Sequence, residues 1–205
     1  MLSPDNEANP IAEEIVGSTL IVRFSRPAQR NSLSSETLKA LAATIERLKT
    51  SPSVHVVIFT GSDNAFASGA DIKELAELDP SQARDFSRSG QQLTNDIAAL
   101  NQVTIAAING FCMGGGLDFA LACDIRIASK SAVFAHPGSK LGIITGWGGT
   151  QRLSRLIGKS KAIELFSTGR RFSSDEGLKA GLITQIADPV LEAALVIANT
   201  SRFTS

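Results

Sequence analysis

Residues 105–128, IAAINGFCMGGGLDFALACDIRIA, constrain the fold more than any other stretch. Val103–Ile108 is a short apolar run rich in β-branched residues, the composition of a buried strand. Asn109-Gly110 breaks it. Gly114, Gly115 and Gly116 follow, and Leu117-Asp118-Phe119-Ala120-Leu121 then has helical character. The stretch closes on a second strand, DIRIA. Glycines that open a helix present amides that the helix leaves unpaired and that no Cβ shields. Those amides and the helix dipole favour negative charge. Two readings fit this stretch alone: a tight strand–helix packing corner, or an anion or oxyanion site.

The rest of the chain narrows the class. Its 205 residues allow one domain with a sizeable core. Lys plus Arg equals Asp plus Glu at 20 each, so no basic field points to nucleic acid and no polybasic run to a membrane surface. The first ten residues, MLSPDNEANP, are polar and lack a signal-peptide core, and no apolar run approaches a membrane span. Cys112 and Cys123 are too few for a secreted disulfide framework. The expectation is a cytoplasmic protein, away from membrane and nucleic acid.

Periodicity sets out the elements. Residues 1–11 read as loose. Residues 13–16 and Thr19–Phe24, parted by Gly17-Ser18, read as a hairpin. Ser34 is suited to cap a helix reaching Lys49, with Leu38, Leu41, Ile45 and Leu48 on one face. A strand is expected at 54–60, a small-residue loop after it, and helices at 71–78 and 81–100. Further along, 132–135 reads as a short strand, 148–156, 161–167 and 173–180 as helices, and 182–187 as a strand. Asp188 is placed to cap a last helix to about residue 199. Strands alternating with helices define an α/β class. No internal repeat or linker is visible.

Three further segments carry a resemblance. They are RPAQRNSLS at 26–34, IFTGSDNAFASGADIKEL at 58–75 and GWGGTQRL at 146–153. With the glycine triplet, in this order and spacing, the chain resembles the enoyl-CoA hydratase/isomerase (crotonase) superfamily from about residue 13 to about residue 190. The resemblance implies a spiral of ββα units with stacked sheets and outer helices, as a single domain over 1–205. It also implies that the family's C-terminal helical region, beginning near 188–205, is truncated or absent, and that the assembly is a homotrimer or a dimer of trimers.

The same resemblance implies chemistry on an acyl-CoA or enoyl-CoA thioester. Coenzyme A is then part of the substrate and no separate cofactor is expected. The backbone amides of Ala70 and Gly115 would hold the thioester oxygen as negative charge develops, a role worth ~2.7–4 kcal/mol per donor. Substrate contacts would come from Ala28 and Arg30, from Ser68, Gly69, Ala70, Asp71, Ile72 and Lys73, and from Gly115, Pro137, Gly138 and Leu141. Lys73 fits either a phosphate contact or a solvated helix surface, and Arg30 either phosphate or water. Asp71 reads first as a helix cap.

Asp118 stands where hydratases of the family carry Glu, one helical turn after Gly115. It is the candidate acid/base, against a reading as a capping or surface aspartate. Gly138 stands where they carry the second Glu, and glycine moves no proton. Three explanations are open. His136, two residues earlier on the same face of an extended chain, replaces it; Gly138 makes room for a larger acyl group; or hydration has been abandoned. Trp147 reads as pocket wall or core. The two histidines, His55 and His136, form no metal cluster, and CMGGG is no nucleophile elbow. The leading expectation is an enoyl-CoA hydratase/isomerase-type enzyme using Ala70, Gly115, Asp118 and His136. Its rivals are a decarboxylase or thioester hydrolase of the same superfamily, and a non-catalytic thioester-binding subunit.

Overall fold

A computed structural model of the chain describes residues 9–200. Two sheets alternate along the sequence. The larger contains β1 (Ile11–Val16), β2 (Thr19–Phe24), β3 (Val56–Thr60), β5 (Val103–Ile108), β7 (Ile125–Ala128) and β10 (Gln185–Ile186), in that spatial order. The β1–β2 pair is antiparallel, and β2 through β10 run parallel. The smaller sheet is β4 (Ala65–Ala67), β6 (Phe111–Met113), β8 (Val133–Ala135) and β9 (Phe172–Ser173), with β9 antiparallel to β8. Helices α1 (Ser35–Lys49), α2 (Ile72–Glu77), α3 (Pro80–Ala98), α4 (Gly115–Ala122), α5 (Gly149–Ile157), α6 (Lys159–Thr168), α7 (Ser174–Lys179) and α8 (Val190–Thr200) complete the chain.

The chain thus steps from the large sheet to the small one at β3–β4, β5–β6 and β7–β8, and helices carry it back after the first two steps. This is the spiral of ββα units that the resemblance implies. The expected small-residue loop after β3 contains β4, and the hinge after β5 contains β6. Both are three-residue strands, too short to show a period in sequence. β9 and the shortness of β10 escaped for the same reason. At the front, the structure corrects a loose stretch to 11: Ile11 is buried and already pairs with Phe24 in β1. Expectations for residues 1–8 and 201–205 lie outside the described residues.

Alternation along the central strands divides two cores. Val57 and Phe59 of β3, with Ala106 and Ile108 of β5, face α1, α3 and the small sheet. Val56, Ile58, Ile105, Ala107 and Ile127 face the opposite way, against Val190, Ala194 and Ala198 of α8. Phe119 of α4 meets Phe24 and Phe59 edge-on, with ring centroids 5.4 and 4.9 Å away. Gly116 lets α4 lie directly on β4, since a Cβ there would stand 2.3 Å from the Ala67 carbonyl oxygen. These contacts fix the axis of α4, and with it the directions of Gly115 and Asp118. At the C-terminal end, the Asp188 carboxylate accepts from the Lys130 amide, tying the turn after β7 to the approach to α8.

Candidate active site

The glycine triplet does open a helix. Gly114, at φ +49°, turns the chain out of β6, and the intrahelical bonds begin with the Leu117 and Asp118 amides, which both donate to the Gly114 carbonyl. The Gly115 and Gly116 amides precede them. Gly69, at φ +97°, makes a second turn beside the first. A Cβ built on it would stand 2.9 Å from the Met113 carbonyl oxygen and 3.2 Å from the Gly115 nitrogen. Residues 69–70 and 114–115, remote in sequence, therefore form one corner of backbone just after the C-terminal ends of the parallel strands β4 and β6. Ligands of parallel α/β sheets gather at this end.

The 26–34 loop packs on the same corner. The Ser68 amide donates to the Arg30 carbonyl and the Leu33 amide to the Gly69 carbonyl, which brings Ala28 and Arg30 beside Ser68–Ala70. Sequence reasoning missed the residue that holds this loop. Asn31 is buried at φ +53°, its side-chain amide donates to the Ala65 carbonyl, and its Oδ1 accepts from the Arg26 amide. An Asn inside a predicted loop, a residue type that tolerates left-handed backbone, is the sequence signal that could have found it. Asp71 caps α2, accepting from the Lys73 and Glu74 amides, and Ser32 donates to its other oxygen. Ile72 and Lys73 are exposed on α2.

Asp118 is fully buried. Its Oδ2 accepts from the Thr145 hydroxyl and, at 3.3 Å, from the Trp147 amide. Gly149 is required above it, because a Cβ there would lie 1.9 Å from Oδ1. The loop 145–149 thus closes over the carboxylate. His136, also buried, brings Nε2 to 3.5 Å from Asp118 Oδ1 and packs its ring on Phe166 of α6 at 4.8 Å. Asp118 Oδ1 and both imidazole nitrogens have no hydrogen-bond partner among the described residues.

Burial shifts the two groups in opposite senses, since each loses the hydration of its charged form. It raises the Asp118 carboxyl from 3.8 to about 6, against the hydrogen bonds from Thr145 and Trp147 and the field of Arg152. It lowers His136 from 6.5 to about 4. At neutral pH the contact is therefore a carboxylate beside a neutral imidazole, not an ion pair. A buried acid with a pKa near the working pH can both take and give a proton.

The approach of His136 to Asp118 has a different basis from the extended-chain expectation. Pro137–Leu141 is a 3-10 turn, so residues 136 and 138 do not share a face. At Gly138 the space a side chain would take is filled by backbone. Its amide partner turn is tight: the Ile143 amide donates to the Gly138 carbonyl, and the Ile143 carbonyl oxygen lies 2.6 Å from where a Cβ would stand. Any side chain at 138 requires this backbone to move. Pro137 is half-buried and Leu141 is exposed. Trp147 is buried against Gly90 and Gly115, its carbonyl accepting from Thr94 and Arg152. His55 lies just before β3 rather than inside it.

A spiral of ββα units, with the Gly69 and Gly114 turns meeting beside a buried carboxylate, is the architecture of the crotonase class. The sequence model of the enoyl-CoA hydratase/isomerase family matches residues 14–200, and the chain belongs to this family. It is 39% identical over 196 residues to a short-chain-enoyl-CoA hydratase of Clostridium acetobutylicum, covering 94% of this chain and 75% of that protein. The crystal structure of an enoyl-CoA hydratase from Bacillus anthracis superposes with a TM-score of 0.91 at 37% identity, over 93% of this chain and 76% of that one. The Pseudomonas aeruginosa protein DspI gives 0.92 at 31% identity, over 100% and 85%.

Proposed function

We propose that the protein binds an enoyl-CoA thioester and adds water across, or shifts, its double bond through a single buried carboxylate. The observation that carries this reading is the unpartnered pair, Asp118 Oδ1 and His136 Nε2, 3.5 Å apart at the start of the helix that Gly115 opens. A thioester oxygen seated at the Ala70 and Gly115 amides gains charge as an enolate forms, and fixed amides stabilise it without rearranging. Asp118 Oδ1 accepts the proton from water or from the substrate carbon and later returns it. The neutral His136 imidazole orients the water, a task within reach of either ring nitrogen. Lys73 and Arg30, exposed beside the corner, supply positive charge for the phosphates of coenzyme A.

The test is mass spectrometry of crotonyl-CoA incubated with the protein in heavy-oxygen water. Heavy oxygen at the β-carbon supports hydration, and a moved double bond supports isomerisation. The Ile143 carbonyl that closes position 138 leaves one carboxylate here, which also suits decarboxylation, where an oxyanion site suffices to stabilise the anion. Carbon dioxide release from malonyl-CoA in place of either change would favour that reading. Acyl-CoA binding with no reaction in any arm would favour a binding subunit.

A further inference from the structure

We propose that Trp147 is the end wall of the acyl site and restricts this protein to short acyl groups, an inference that rests on the thioester reading above. The indole is wedged between two helices. Its Cζ3 and Cε3 atoms would lie 2.5 and 2.7 Å from a Cβ on Gly115, and its Cε2 and Nε1 atoms both 2.2 Å from a Cβ on Gly90. The ring therefore spans from the first residue of α4 to the middle of α3, and only 5% of the residue is exposed. Gly90 sits inside a 19-residue helix, where glycine is among the poorest choices. The indole accounts for it, because no other residue leaves room for the ring.

The backbone of Trp147 is held as firmly as its ring. Its amide donates to Asp118 Oδ2 at 3.3 Å, and its carbonyl accepts from the Thr94 hydroxyl and from Arg152, each at 3.0 Å. One residue thus touches both the acid/base and the helix residue that supplies an oxyanion amide. A thioester seated with its oxygen at that amide and its reacting carbons toward Asp118 meets the indole within a few carbons. Phe86, 5.5 Å from the indole, backs the ring from α3.

The test is calorimetric titration of the full chain and its Trp147→Ala variant with free coenzyme A and with acetyl-, butanoyl-, hexanoyl- and octanoyl-CoA, none of which carries a reactive double bond. The parent should gain affinity to butanoyl-CoA and gain nothing, or lose, beyond it. Trp147→Ala should keep gaining, by up to about fourfold for each methylene buried, while free coenzyme A binds both alike. Trp147→Leu, which keeps apolar fill and is checked by its melting transition, serves if the alanine variant does not fold, and should extend the series by a smaller step. Parallel chain-length profiles in parent and variants would overturn the assignment of Trp147, with the thioester site intact. Failure of the parent to bind coenzyme A or any thioester would overturn the site reading itself, and this inference with it.

Discussion

At the scale of single residues, Asp118 and His136 are one buried unit with opposing titrations. The Asp118 carboxyl is higher in the fold than its ordinary 3.8, so between about pH 4 and 6 the folded chain holds a proton that the unfolded chain has lost, and stability falls as pH rises. His136 is lower than its ordinary 6.5, so between about 4 and 6.5 the unfolded chain holds the extra proton, and stability rises with pH. The two slopes offset each other in the parent. Removing either partner should expose the other. Asp118→Asn should become more stable from pH 4.5 to 6.5, and His136→Gln less stable, each by on the order of 2 kcal/mol. Urea unfolding at the two pH values checks this, and identical pH dependence in all three proteins would contradict it. The rate profile follows the same logic: kcat/KM should climb with pH through about 6 as Asp118 ionises, with no limb from His136, which stays neutral above about 4. Asp118 and His136 were both legible in sequence, from a motif position and from a lone imidazole near a proline. Their pairing was not, because the 3-10 turn at 137–141 and the sealing of Asp118 by Thr145, Trp147 and Gly149 are tertiary facts.

At the scale of elements, glycines record where two elements touch. Gly90 of α3 and Trp147 of the loop before α5 are complementary, so their substitutions should couple. Gly90→Ala alone should cost about 1–3 kcal/mol by overpacking, while in a Trp147→Ala background it should stabilise by up to about 1 kcal/mol as a better helix former. A double-mutant cycle measures the difference, and additive effects would contradict the wedge. Gly138→Glu tests the turn after β8. The Ile143 carbonyl at 2.6 Å leaves no room for a Cβ, so a lowered melting temperature and no gain in enoyl-CoA turnover are expected. A stable, faster variant would show that a second carboxylate does fit. The helices with strong caps were legible: Ser34 accepts from the Thr37 amide at the start of α1, and Asp71 caps α2. The three-residue strands β4 and β6 are held by pairing with each other and with β8, which no local pattern carries, whereas β8 itself was legible at 132–135.

At the scale of the whole molecule, the two-sheet spiral brings the 26–34, 68–73 and 114–118 segments to one end of the parallel strands. A concavity at the opposite end, about 530 Å³ beside Lys49, His55 and Gln102, faces the strand N-termini and is lined by no carboxylate. The fold class could be read because four motifs in order outweigh any one of them, whereas the packing of the 145–149 loop over Asp118 could not, since it depends on Asp118, Gly115 and Gly90 meeting in space. The most direct measurement of the central claim is crotonyl-CoA turnover by Asp118→Asn beside the parent, with butanoyl-CoA affinity measured on the same samples. The account predicts a fall in kcat of about 10²–10⁴-fold with affinity retained. Turnover in the variant equal to the parent's would contradict it.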